Sequence, residues 1–376
     1  MKILKHIARI VIGITFIFSG FVKGIDPWGF AYKMTDYFNA MDIGWLTWSA
    51  FPLSFILTFA EFLIGVTCLF CIRIRFFSWG ALLFMLFFTP FTLWTAITNP
   101  VSDCGCFGDA LVISNWATFY KNVVLLFFAV VLFLERKNIK PFTNCKTSLA
   151  LGGLFIAVYI VCVTYSYRHE PIIDFRPYKV GVNIPEAMKV PQGAPQDVYQ
   201  NIMYYRNTKT NKVEKFSEEN YPWQDTINWK FEKMTPKLIQ KGFEPPIKEF
   251  RVETDEGENI YDFFVYDNNY VFMLIAHDLD KSSRKNQDKI NELAAWAQNE
   301  GYSFICLTSS LSDDCHAFKS ETDAPYDFFH ADEIALKTMI RSNPGLMVLK
   351  DGTIIAKYHS NDIPSFEKFQ NEFLKK

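Results

Sequence analysis

The sequence predicts a membrane α-helical bundle of four spans plus a fifth, followed by an extracytoplasmic α/β domain. Three observations carry that prediction. Five long apolar runs fill the first 166 residues. Charge divides unevenly: residues 1–166 hold 12 Lys and Arg against 7 Asp and Glu, whereas residues 167–376 hold 26 against 33. From residue 250 onward, short β-type runs alternate with helical ones. The whole-chain averages hide this split. Of 376 residues, 50% are hydrophobic and 21% charged, with a net charge of −2 and a mean hydropathy of +0.05. Those values exclude a disordered or collagen-like chain, and a nucleic-acid partner bound through bulk positive charge.

The apolar runs lie at 4–24, 50–72, 76–97, 116–134 and 148–165. Each has about 18 to 23 residues, enough to cross roughly 30 Å of hydrocarbon at about 1.5 Å per residue. Lys2, Lys5 and Arg9 before the first run would also suit a signal peptide, but no A-x-A-like cleavage site follows and four further runs do. Thr89-Pro90 and Thr92 predict a kink in the third span, with the hydroxyls satisfying the freed carbonyls. Lys2, Lys5, Arg9, Arg73, Arg75, Arg136, Lys137, Lys140 and Lys146 fall on one side, and Lys23, Lys33 and Lys121 on the other. Positive charge marks the cytoplasmic side. The N-terminus is therefore expected inside, and the C-terminal half outside a bacterial inner membrane, in an oxidising periplasm where paired thiols form disulfides. Lipid is the first partner this implies.

Four segments follow: a four-helix domain at 1–135, a cytoplasmic loop with the fifth span at 136–166, a linker with a small subdomain at 167–249, and an α/β domain at 250–376. Prolines 171, 177, 185, 191 and 195 punctuate the linker, and a hairpin is expected from 203–205 and 213–216. Trp223, Trp229 and Phe231 are expected in the core of that subdomain. In the last segment we predict strands at 271–276, 304–308 and 326–329, and helices at 283–299, 312–318 and 334–341. A hairpin at 346–349 and 353–357, turned by Asp351-Gly352, and a helix at 365–374 complete it. This order, with Asn343-Pro344 just before the hairpin, resembles the thioredoxin-like fold and its cis-proline turn. A redox thioredoxin carries C-x-x-C after the first core strand. Here that stretch is His277-Asp278-Leu279-Asp280-Lys281-Ser282-Ser283-Arg284, with no cysteine. Cys306 is expected in the core, and Cys315 on a polar, exposed segment.

Cys104-Gly105-Cys106, in the outer loop between spans three and four, is the sharpest chemical signal. A C-x-C disulfide closes a very small ring, so it is strained and easily reduced. Gly105 supplies the backbone freedom of the tight loop. The bland alternative is two unlinked thiols or disulfides to other cysteines. Two thiolates with no neighbouring His leave a tetrahedral metal site unfilled, so no metal is expected. Glu61, near the middle of span two, is a functional candidate because a carboxylate in hydrocarbon is costly unless paired. Lys23 or Lys121, with Asn122, is expected to reach toward it and form a polar cluster below the cysteine loop. Such a cluster could pass a proton or hold a quinone head group. Cys68 and Cys71 would share a helix face at the cytoplasmic end of span two. They are a possible second thiol pair, or small residues packed between helices. Cys145 and Cys162 carry no pattern.

Several of these residues also carry a resemblance. Phe18-Ser19-Gly20-Phe21-Val22-Lys23 with Asp26-Pro27, Glu61 with Gly65, Cys104-Gly105-Cys106-Phe107-Gly108, and Trp116 through Lys121-Asn122 are similar to the DoxX/MauE family over about residues 1–135. The resemblance implies a four-helix redox-type module. MauE members are associated with disulfide formation in a periplasmic methylamine dehydrogenase, and DoxX relatives with quinone-linked oxidoreductases. The arrangement also looks like the vitamin K epoxide reductase bundle. The fifth span and the large outer domain depart from the smaller members, so the methylamine substrate does not transfer. Two functions follow as expectations. One is a membrane thiol–disulfide module acting on a periplasmic client or redox partner through Cys104 and Cys106. The other is a non-enzymatic scaffold whose outer domain binds an envelope protein.

Overall fold

A computed structural model describes residues 3–101, 103–140, 144–240 and 242–375, the side chain of Cys145 excepted. Lys2, counted among the inner cations, lies outside them. The chain forms two compact units, one of Met1–Val182 with Phe250–Lys376 and one of Asn183–Glu249.

Five helices of the larger unit are long and apolar enough to span a membrane. They are α1 (Leu4–Gly24), α3 (Ala50–Leu69), α4 (Ile74–Thr98), α5 (Asn115–Glu135) and α6 (Cys145–Arg168). A sixth helix, α2 (Pro27–Ala40), for which the sequence analysis predicts no element, follows α1. Asp26 caps it by accepting from the Gly29 amide at 3.0 Å, and Pro27 occupies its first turn. A 3-10 turn, Gly44–Ser49, leads into α3. The bundle centres on α1, which buries Ala8, Ile12, Phe16, Ser19 and Lys23 at near-helical spacing. A Cβ on Gly20 would lie 2.7 Å from the Phe62 amide, and one on Gly65 2.6 Å from that of Ile17. These two glycines let α1 and α3 approach closely, as small residues do between membrane helices.

Two expectations for this region need correction. Helix α4 runs through Pro90, which frees the carbonyl of Leu86, yet the threonine hydroxyls bond elsewhere. Thr92 Oγ1 donates to the carbonyls of Phe88 and Thr89, and Thr89 Oγ1 to that of Asn122. The second correction concerns Cys68 and Cys71. Helix α3 ends at Leu69, and Cys71 has a left-handed backbone with φ of 57°, so the two do not share one helix face. Cys68 is buried, and Arg9 Nη1 donates to Cys71 Sγ at 2.5 Å.

The C-terminal part of the same unit begins with α8 (Tyr261–Val265) and β4 (Tyr270–Ile275). It continues through α9 (Gln287–Asn299), β5 (Ser303–Thr308), α10 (Ser312–Thr322) and β6 (Asp327–His330). It ends with α11 (Glu333–Met339), β7 (Gly345–Lys350), β8 (Thr353–His359) and α12 (Phe366–Phe369), then a π turn at Gln370–Leu374. The five strands order as β6-β5-β4-β7-β8. β4, β5 and β6 run parallel, β7 is antiparallel to β4, and β8 is antiparallel to β7. Every residue of β4 is buried, as expected for a central strand covered on both faces. Helix α9 starts four residues later than predicted because loop contacts claim its first turn. Asn343 Nδ2 donates to the Asp278 carbonyl at 2.6 Å, the Ser283 amide to Asn343 O, and Arg284 Nη1 to the carbonyls of Leu279 and Ser282. The Asn343–Pro344 bond is cis. Cys306 is in the core, and so is Cys315, against expectation. It faces inward with Phe318 on the buried side of α10.

The smaller unit carries α7 (Ile184–Met188) and a three-stranded antiparallel sheet of β1 (Val198–Asn207), β2 (Val213–Phe216) and β3 (Trp229–Gln240), ordered β2-β1-β3. The hairpin agrees with expectation; β3 was not predicted, since its charged residues and Pro236 disguise it. The aromatic residues do not all form a core: Trp223 and Phe231 are exposed, because this sheet is a single layer.

Candidate functional site

The loop from α4 to α5 is pinned at its stem. Asn99 closes α4 in a left-handed conformation, and Asn115 Nδ2 donates to Asn99 Oδ1 at 2.8 Å and to the Val101 carbonyl at 3.0 Å. Asp103 Oδ1 then accepts from the Gly105 amide at 2.9 Å, and its other oxygen pairs with Lys33 of α2 at 3.1 Å. Gly105 has φ of 66°, and Lys33 packs across the face where a side chain would stand. Ser19 Oγ donates to the Cys106 carbonyl at 2.6 Å, and Tyr37 Oη to that of Cys104 at 3.2 Å. The loop is thus held by α1 and α2, and it places Cys104 Sγ 3.0 Å from Cys106 Sγ, both as free thiols.

Electrostatics set the two sulfurs apart. The Cys104 thiol hydrogen bond holds the Cys106 pKa below the usual thiol range, helped by the Lys121 and Lys23 charges and opposed by burial and Glu61. The same hydrogen bond, with burial, pushes Cys104 far up. A thiolate at Cys106 that accepts a proton contact from Cys104 is the arrangement of a nucleophile with its partner thiol.

Below the loop, Lys23 turns inward and its Nζ lies 2.5 Å from Glu61 Oε2, both side chains being buried. The Phe30 ring lies 4.9 Å from the same ammonium. Lys121 does not join this pair; its Nζ sits over the Phe107 ring at 4.2 Å. Asn122 is also outside it, donating to Thr92 Oγ1 at 3.1 Å on α4. The polar cluster expected around Glu61 is therefore a single ion pair. Among the described residues no group of three or more His, Cys, Asp and Glu could hold a metal.

Above the loop lies a set of residues that sequence reasoning missed. Arg341, in the turn before the cis-proline, grips Asp26 through Nε at 2.9 Å and Nη2 at 2.7 Å, and reaches Asp109 of the cysteine loop at 3.4 Å. Burial alone would raise the Asp26 carboxyl, but the Arg341 charge and hydrogen bonds leave it below its ordinary value. Beside it, Arg176 pairs with Glu170 and Asp174, and Lys357 of β8 with Asp174 at 2.8 Å. Burial lowers Lys357 to about 8, with the Arg176 charge adding to the effect. A cavity of about 50 Å³ lies beside these charges, lined by Lys23, Asp26, Lys33, Gly105, Asp109 and Arg341. Asp26-Pro27 and the Arg341 turn were each visible as motifs. Nothing in a single sequence pairs charges 315 positions apart.

Five apolar helices define the class, a multi-pass membrane protein. Residues 1–135, about a third of the chain, match the family described as methylamine utilisation protein MauE. Residues 199–241, which cover most of the three-stranded sheet, match a family described only as a domain of unknown function, DUF8463. No curated protein and no solved structure matches the chain significantly.

Proposed function

We propose that the protein is a thiol–disulfide exchange module of the bacterial inner membrane, acting on the periplasmic side through Cys104 and Cys106. The observation that carries this reading is the 3.0 Å approach of two free thiols, one of them favoured as thiolate. In the exchange, the Cys106 thiolate attacks one sulfur of a partner disulfide, forming a mixed disulfide and releasing the partner's first thiolate. Cys104 then loses its proton and attacks Cys106 Sγ. The Cys104–Cys106 disulfide forms, the mixed disulfide breaks, and the partner leaves with two electrons gained, one proton taken from Cys104 and the other from water. The reverse sequence oxidises a partner dithiol, and a quinone or a second thiol protein would close the cycle.

The strand order β6-β5-β4-β7-β8, the helix after β4 and the cis-proline turn before β7 support a thioredoxin-like outer domain without its dithiol. Such a domain docks a client rather than reacting with it. The same missing dithiol favours the second reading, a membrane scaffold in which the cysteine loop is only structural. Mixed-disulfide trapping in Cys104→Ser and Cys106→Ser variants separates the two. The exchange reading expects a covalent partner adduct on one single variant, and the scaffold reading expects none.

A further inference from the structure

An open cleft of about 900 Å³ lies between the C-terminal end of α6, the first half of α2 and the loops after β4 and β8 and before β7. We propose that it seats the phosphodiester headgroup of an anionic glycerophospholipid, with an acyl chain running along α3 and α6. This goes beyond the thiol reading and stands without it. Most of the charge in the cleft is already paired: Asp278 with Lys281 at 2.5 Å, Glu333 with Lys337 at 2.6 Å, and Arg341 with Asp26 at 2.7 Å. Arg168 and Lys285 are exposed and have no ion-pair partner among the described residues. The cleft therefore presents two uncompensated positive charges, which a phosphate ester meets. Phosphatidylethanolamine brings an ammonium along with its phosphate, so a headgroup of net negative charge fits better.

The floor of the cleft lies where a span ends. Arg168 closes α6, and Phe51 stands in the first turn of α3. The Trp28 ring lies 4.0 Å from that of Phe51, and the Tyr167 ring 5.7 Å from Phe51 and 6.2 Å from Phe55. Trp and Tyr collect at headgroup level in membrane proteins. From there the apolar surface continues along both helices. Phe59, one turn beyond Phe55 on α3, and Ile160, two turns before Tyr167 on α6, are both exposed. An apolar lane thus leads from the unpaired cations into the hydrocarbon. A soluble anion or an acidic peptide would use the cations and leave that lane without a role; a diacyl lipid uses both.

The cleft is also preformed. Asn361 Nδ2, in the loop after β8, donates to the Arg168 carbonyl at 2.8 Å, and His169 Nδ1 lies 2.7 Å from Asp362 Oδ1. On the other side Arg341 fastens the turn before β7 to Asp26 at the start of α2. Both loops are therefore tied to the helix ends that form the floor, and a headgroup enters a site that needs little reorganisation.

The test is native mass spectrometry of the full chain released from dodecyl maltoside micelles, titrated with phosphatidylglycerol and, separately, with phosphatidylethanolamine. One phosphatidylglycerol is expected to be retained, about tenfold more tightly than phosphatidylethanolamine. Lys285→Glu, on an exposed loop where folding is not at stake, should weaken that binding by about tenfold. Lys209→Glu makes the same charge change in the turn between β1 and β2, outside the cleft, and should leave it unaltered. Equal retention of the two lipids overturns the proposal, as does an equal effect of the two substitutions, which would mark attraction by bulk charge. Displacement of the lipid by an equal concentration of glycerophosphoglycerol, the headgroup without its chains, would mark a soluble-anion site and overturn it too. Displacement by an equal concentration of an acetylated Glu-Ala octapeptide would overturn it in favour of a peptide. The readout involves no thiol, so this proposal and the exchange reading fail separately.

Discussion

Cys106 reacts, on this account, because its surroundings favour the thiolate: the Cys104 thiol donates to it, and Lys121 and Lys23 stand nearby. Thiolate reactivity follows the deprotonated fraction. Alkylation of Cys106 by iodoacetamide should therefore reach its plateau at a pH below that of an ordinary thiol. Lys121→Met should shift the profile to higher pH and slow the reaction at pH 7. Mass spectrometry of the modified peptide over a pH series reads this, and an unchanged profile in Lys121→Met would show that its charge does not act on Cys106. The Lys23–Glu61 pair makes a second prediction. Removing one member strands a buried charge, so Glu61→Gln should cost about 3–5 kcal/mol, and Lys23→Met with Glu61→Leu much less. Thermal unfolding in micelles measures both, and equal losses would contradict the ion pair. Glu61 and Lys23 could be nominated from sequence because charge in an apolar run is conspicuous. Which lysine reached Glu61 could not be read, because both lie near outer span ends and only the close packing of α1 on α3 decides.

At the scale of elements, the cysteine loop is braced from below by α1 and α2 and from above by the Arg341 turn. Arg341→Met should loosen that brace. Hydrogen exchange of amides at 103–109 should then quicken, while β4 stays protected. Loop exchange equal to that of the unaltered chain would mean the contact holds nothing. The Asp26 carboxyl has a folded-state pKa below its unfolded one, so its contribution is present above about pH 3.8 and is lost as pH falls through the folded value. Quicker loop exchange should accordingly appear only in that acid window. The long helices were legible to within about three residues at each end, since hydropathy and length fix them. Helix α2 was missed, although Asp26-Pro27 is a cap followed by a first-turn proline, because mixed polar and aromatic residues mask its period. Strand β3 was missed because Pro236 and the charged residues Lys230, Glu232, Lys233 and Lys237 argue against a strand, and pairing with β1 overrides them.

Over the whole molecule, the sparsely charged first part and the acidic second part read as two environments, one lipid and one aqueous. The excess of inner cations predicts the cytoplasmic side for the α5–α6 link and the outer side for the C-terminus. A disulfide-dependent reporter fused after residue 376 should be active, and the same reporter fused within the α5–α6 link inactive; the opposite pattern would invert the topology and put Cys104 and Cys106 in a reducing compartment. The two halves and the thiol pair on the α4–α5 loop were legible in the sequence. Neither the placing of the Arg341 turn over that loop nor the cleft beside it was legible, because both arise from contacts between distant segments. The central claim is tested most directly by trapping. Cells carrying Cys104→Ser, which keeps Cys106 and leaves a hydroxyl able to donate to it, should accumulate a reducible adduct through Cys106, and Cys106→Ser cells should not. Absence of adducts in both variants, with full complementation by the double variant, would contradict the account.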